Sequence, residues 1–122
     1  MSEELCVLVV DDELGMRETL VEIFSQSGYR VRSAVDGDTA LAAIRAEPFH
    51  VVVMDIRMPG RDGISVLREV GRPPPRVIIM TAYAHAEQVR EAQEANAFAV
   101  VGKPFKVMQL LDLVADAAGA AA

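Results

Sequence analysis

The chain is poor in the residues that build soft-metal and redox sites, with one cysteine and two histidines in 122 residues. Cys6 lies in the apolar run Leu5 to Val10 and has no second thiol to pair with, which excludes an internal disulfide framework. It reads as a small buried hydrophobe. His50 and His85 have no ligand partners at recognisable spacing, so both read as surface or loop residues rather than metal ligands. Positive charge is also short: 12 Lys and Arg face 18 Asp and Glu, for a net charge of −6. The basic residues are scattered rather than clustered, which argues against direct nucleic-acid binding. Although 52% of the residues are hydrophobic, no apolar run reaches the roughly 18 residues needed to cross a bilayer. The N-terminus lacks the basic-then-apolar pattern of a signal peptide. The expectation is a soluble, cytoplasmic chain with no membrane partner. There is no internal repeat, and Pro73-Pro74-Pro75 reads as a stiff loop rather than a ligand for a proline-reading domain.

A chain of 122 residues is one ordinary domain. We expect a single domain over residues 1–122, with a folded core over about 4–118 and an alanine-rich C-terminal tail. Leu5 to Val10 has strand length and ends in Asp11-Asp12-Glu13. Helical spacing follows, with Met16, Leu20, Ile23, Phe24 and Ser27 on one side and Gly28 as the stop. Tyr29 to Ala34 alternates as a strand with one wetter face, which suits a sheet edge. Asp36 can cap a second helix around Ala40, Leu41 and Ile44, closed by Pro48. Val51 to Asp55 is an apolar run that ends on one acid and breaks into a turn, as a strand buried on both faces does. A third helix is expected over Gly63 to Val70 and a fourth strand over Arg76 to Met80, ending at Thr81. A polar, weakly anchored helix follows over about Ala84 to Ala95, then a strand over Phe98 to Val101. Val107, Leu110, Leu111, Val114 and Ala118 form the apolar stripe of a last helix.

Strands alternating with helices call for a parallel sheet covered on both faces. In such sheets ligands bind at the carboxyl ends of the strands. Those ends carry Asp11 and Asp12, Asp55, Thr81 and Lys103. Carboxylates gathered in one place repel unless a cation holds them ionised, and oxygen donors suit a hard ion such as Mg²⁺. A lysine and a hydroxyl opposite the acids suit an anion. Together these parts can hold a phosphoryl group, with Asp55 as nucleophile and Lys103 and Thr81 on the phosphate oxygens.

Asp11-Asp12, Asp55 ahead of Met58-Pro59-Gly60 and Asp62-Gly63, Met80-Thr81-Ala82, and Lys103-Pro104-Phe105 stand in order along the chain. In these motifs it resembles the response-regulator receiver domains of two-component signalling. Asp11-Asp12-Glu-Leu-Gly-Met-Arg17 and Val77-Ile-Ile-Met-Thr-Ala-Tyr83 are most like the stand-alone sporulation phosphorelay receivers. The resemblance implies an α/β, flavodoxin-like (βα)5 fold, doubly wound around a parallel five-stranded sheet of order 2-1-3-4-5. It implies that Asp55 accepts a phosphoryl group from a phosphohistidine on a sensor histidine kinase or histidine phosphotransfer protein, and that signalling passes to a downstream protein partner or effector domain. Asp12, Asp55 and the backbone carbonyl of Arg57 would bind Mg²⁺ directly, and Asp11 through a water. Thr81 and Lys103 would contact the phosphate, and Lys103-Pro104 would be cis. Gly63 and Pro59 would shape the loop after Asp55.

By the same resemblance Arg57 and Tyr83 flank the approach of water to the phosphoryl group, and their bulk leads us to expect slow phosphate loss. Val100 stands where family members often carry a switching aromatic residue, and Phe98 reads as core. Such a domain is not an enzyme on other molecules; it catalyses only its own phosphorylation and autodephosphorylation. Other readings are a receiver cut from a longer transcriptional regulator, an aspartyl-nucleophile phosphatase, and a binding module that works without phosphorylation. The phosphatase would need a second acid where Arg57 stands. The binding module would be expected to have lost the acidic pair or the lysine, and both are present.

Overall fold

The computed structural model describes residues 4–71, 74–82 and 86–121. Five strands alternate with five helices: β1 (Cys6–Val10), α1 (Leu14–Gln26), β2 (Arg30–Ala34), α2 (Gly37–Ala46), β3 (Val51–Asp55), α3 (Gly63–Glu69), β4 (Arg76–Thr81), α4 (Ala86–Glu94), β5 (Ala99–Gly102) and α5 (Val107–Ala121). All strand pairings are parallel, in the order β2-β1-β3-β4-β5. This is the expected doubly wound arrangement, and the order reverses between β1 and β3.

The central strands have no wet face because each alternate side chain meets a different layer of helices. Val51 and Val53 join Val7, Val9, Ile78 and Met80 under α1 and α5, where Phe24, Leu20, Leu110 and Val114 close the core. Val52 and Met54 point the other way, joining Leu8, Val10, Val77 and Ile79 beneath Leu41, Val66, Leu67 and Ala92 of α2, α3 and α4. β2 lies at the edge and exposes Arg30, Arg32 and Ser33, whose charges discourage further strand pairing.

Local signals act where expected. Gly28 takes a positive φ of 96° just after α1. The Thr39 hydroxyl and backbone N–H donate to Asp36, capping α2 and holding the Asp36 carboxyl below its ordinary range. Asp62, not singled out as a cap beforehand, caps α3 by accepting from the Ser65 N–H at 2.8 Å.

Several expectations need correction. Cys6 opens β1 and is only partly buried. His50 is not a bystander: its Nδ1 accepts the Cys6 N–H at 3.1 Å, and its own N–H donates to the Cys6 carbonyl at 2.9 Å. It joins β1 to the entry of β3. Val107 is the first residue of α5 and is exposed, so the buried stripe begins at Leu110. Phe98 is partly buried against the core rather than within it. α5 continues to Ala121, through residues expected to be a tail. Ala84, Tyr83 and His85 lie outside the described residues, as does Pro73.

Gly63 shows how tightly the turn after β3 is built. Its N–H donates to the Ile56 carbonyl at 2.8 Å. A Cβ there would sit 2.5 Å from the Asp55 carbonyl oxygen and 3.0 Å from the Ile56 Cα. Backbone cannot yield as a flexible side chain can, so Gly63→Ala should destabilise the fold by about 1–3 kcal/mol. Urea unfolding would show it as a lower midpoint with an unchanged slope; an unchanged midpoint would mean that the loop has room.

Candidate functional site

β3 carries Asp55 to the carboxyl edge of the sheet, beside β1 on one side and β4 on the other. Because strand order reverses there, the segments leaving β1 and β3 diverge to opposite layers and open a crevice. Asp11 is the residue after β1 and is fully buried; Asp55 is 9% exposed. Thr81 ends β4, is buried, and through its carbonyl accepts the Lys103 N–H at 2.7 Å. That bond fixes the backbone from which the Lys103 side chain reaches into the crevice, and the Lys103-Pro104 peptide is cis, as expected.

Lys103 is the centre of the geometry. Its Nζ donates to Asp55 Oδ2 at 2.6 Å and to Asp11 Oδ2 at 2.9 Å. Burial alone would push the ammonium pKa down. Hydrogen bonds and charge from Asp55 and Asp11 outweigh burial and hold it above the ordinary lysine range. The remaining carboxylate oxygens are met by backbone. Asp55 Oδ1 accepts the Arg57 N–H at 3.0 Å, and Asp11 Oδ1 accepts the Glu13 N–H at 2.9 Å. Arg17, one turn into α1, donates from Nη1 to the Asp11 carbonyl at 2.8 Å and ties down the loop that carries the acids.

Asp12 completes the group from an exposed position. One carboxylate oxygen from each of Asp11, Asp12 and Asp55 lies within 4.8 Å of the others. This donor set is all oxygen and triply anionic against the one ammonium of Lys103. It fits a hard divalent cation and not a soft one.

The structure thus brings together Asp11, Asp12, Asp55, Thr81 and Lys103 as the spacing anticipated. The Arg57 side chain is exposed, and its N–H serves Asp55. Val100 packs partly buried against the core layer of α2, α3 and α4. Tyr83, expected beside Arg57, is outside the described residues.

Two features escaped the sequence reading. Leu14, Val35, Val107 and Met108 are 58%, 47%, 44% and 66% exposed, and each follows the carboxyl end of a strand. They place apolar surface on the side of the sheet that holds the acidic crevice. The signal was present in Leu14 directly after three acids and Val107-Met108 directly after Lys106. The other is Gln88, a polar residue of α4 whose Oε1 is buried.

Comparison with known proteins agrees with this geometry. The response regulator receiver domain family matches residues 7–115. Sporulation initiation phosphotransferase F of Bacillus subtilis is 37% identical over 110 residues, covering 88% of this chain and 89% of that protein. Regulatory protein AtoC of Escherichia coli is 42% identical over 106 residues, which cover 85% of this chain but 23% of that longer protein. Among solved structures, a CheY-like receiver domain protein from Methanospirillum hungatei superposes with a TM-score of 0.93 at 27% identity, covering 98% of this chain and 97% of that one. Chemotaxis protein CheY4 of Vibrio cholerae gives 0.87 at 26% identity, over 94% and 99% of the two chains. The chain belongs to the response regulator receiver domain family.

Proposed function

We propose that Asp55 is the phosphoacceptor of this receiver and that phosphoryl transfer to it depends on Mg²⁺ held by Asp12, Asp55 and the Arg57 carbonyl, with Asp11 acting through a water. The observation that carries the reading is a buried aspartate at the switch point of the sheet, bonded to Lys103 and flanked by two further acids. When bound, the cation supplies positive charge opposite Lys103 on the transferring group. An Asp55 carboxylate oxygen attacks phosphorus of a phosphohistidine as the P–N bond breaks, leaving the donor imidazole and an acyl phosphate. Lys103 then pairs with phosphoryl oxygens from the same backbone position, and the Thr81 hydroxyl donates to another.

The phosphodonor is a histidine kinase or a histidine phosphotransfer protein. The exposed Leu14, Val35, Val107 and Met108, all on the side of the sheet where the strands end, support a protein partner docking on that side. The similarity to a phosphotransferase of sporulation supports the phosphorelay reading. Output through α4 is supported by its weak anchoring: among its described side chains only Ala92 is fully buried.

Acetyl phosphate with Mg²⁺ should place one base-labile phosphoryl group on the chain, and intact-mass measurement should find none on Asp55→Asn. Undiminished labelling of that variant would refute the assignment. Asp12→Asn removes one of several repelling charges, so in EDTA its melting temperature should rise by about 2–4 °C while labelling with Mg²⁺ collapses. A lower melting temperature with normal labelling would contradict both roles of Asp12.

Lys103 has a pH signature. A group whose pKa is raised in the folded state stabilises fully below its ordinary value, about 10.5, and the contribution is lost as pH rises through the folded-state value. Lys103→Met leaves buried carboxylates uncompensated and should cost about 3 kcal/mol at neutral pH. The parent should lose its advantage over Lys103→Met as pH rises from roughly 10 to 12. A difference between their urea midpoints that stays constant over that range would show that the ammonium is not what stabilises the acids.

A further inference from the structure

Gln88 lies in the first turn of α4. Its Oε1 is buried and has no hydrogen-bond partner among the described residues. A buried oxygen costs stability in any state that gives it no partner. The Gln88 side chain lines a groove of about 540 Å³ together with Asp12, Ile56, Arg57 and Met58. One wall of this groove is therefore the most exposed acid of the cation site, and another is the loop that follows Asp55.

We propose that Gln88 is an outer ligand of the cation site: its carboxamide turns toward the groove and accepts a hydrogen bond from a water of hydrated Mg²⁺. This rests on the reading of the acidic crevice as a Mg²⁺ site. The turn is soft, because the terminal amide torsion of glutamine is broad and has no steep staggered wells. Mg²⁺ dehydrates reluctantly and keeps several waters. On the groove side those waters offer only O–H donors, and the group they match is an amide oxygen without a partner. Loading the site thereby satisfies Oε1 and pulls on the first turn of α4. The helix senses the cation through its own side chain.

The sign of a stability change separates this role from a structural one. Methionine has nearly the shape of glutamine without the polar end, so Gln88→Met removes the unpartnered oxygen and should melt above the parent in EDTA. A glutamine that merely supports the fold would melt lower on replacement. Calorimetric titration with Mg²⁺ should give a dissociation constant about fivefold weaker for Gln88→Met. Gln88→Glu keeps an acceptor oxygen and should bind at least as tightly as the parent. A Mg²⁺ affinity unchanged in Gln88→Met, a glutamate variant as weak as the methionine variant, or a lower melting temperature in EDTA for Gln88→Met would each overturn the proposal. If the parent binds Mg²⁺ and Asp12→Ala does not, the cation site stands whatever Gln88 does. A parent that binds no Mg²⁺ overturns both.

Discussion

The contact on which the molecule depends is the ammonium of Lys103 shared between Asp11 and Asp55. Two carboxylates from neighbouring strands converge in a nearly dry crevice, and the arrangement is tolerable only because one cation bonds to both. The fold is built to deliver these three groups. β1 and β3 are adjacent, so their terminal acids meet; β5 lies two strands from β3, and the lysine spans the distance beneath the end of β4. The compensation is incomplete by charge, since Asp12 adds a third carboxylate. That deficit of positive charge is what a divalent cation can fill.

The same edge of the sheet combines an acidic crevice with exposed apolar side chains. Leu14 and the Val107-Met108 pair open α1 and α5, the helices that share one face of the sheet. A partner that covered them would meet Asp55 between. α4 lies on the opposite layer and buries little of itself, away from Phe24, Leu20 and Val114 on the far side.

Much of this was legible in the chain because its signals are local. The apolar run from Val51 closes on Asp55, and a strand buried on both faces needs no alternation to be recognised. Asp36 announces the helix it caps, and Gly28 ends α1 in the left-handed conformation that glycine favours. Strand order came from resemblance, since periodicity does not say which strands pair. What could not be read were facts of long-range packing. Cys6 looks like core by composition, yet it starts a strand at the amino end of the sheet and is only partly buried. His50 gains its role from a backbone N–H forty-four residues away in sequence. Val107 obeys the helical spacing of α5 but falls at its first turn, beyond the reach of the sheet. Gln88 looks like any polar helix residue until its Oε1 is found buried.

The central claim is that this crevice accepts a tetrahedral phosphoryl-like group only with a divalent cation alongside Lys103. Fluorine NMR of the parent chain with beryllofluoride tests it most directly. The account predicts bound fluoride resonances that appear on adding Mg²⁺ and vanish with EDTA. Bound resonances of equal intensity without any divalent cation, or none at saturating Mg²⁺, would contradict it.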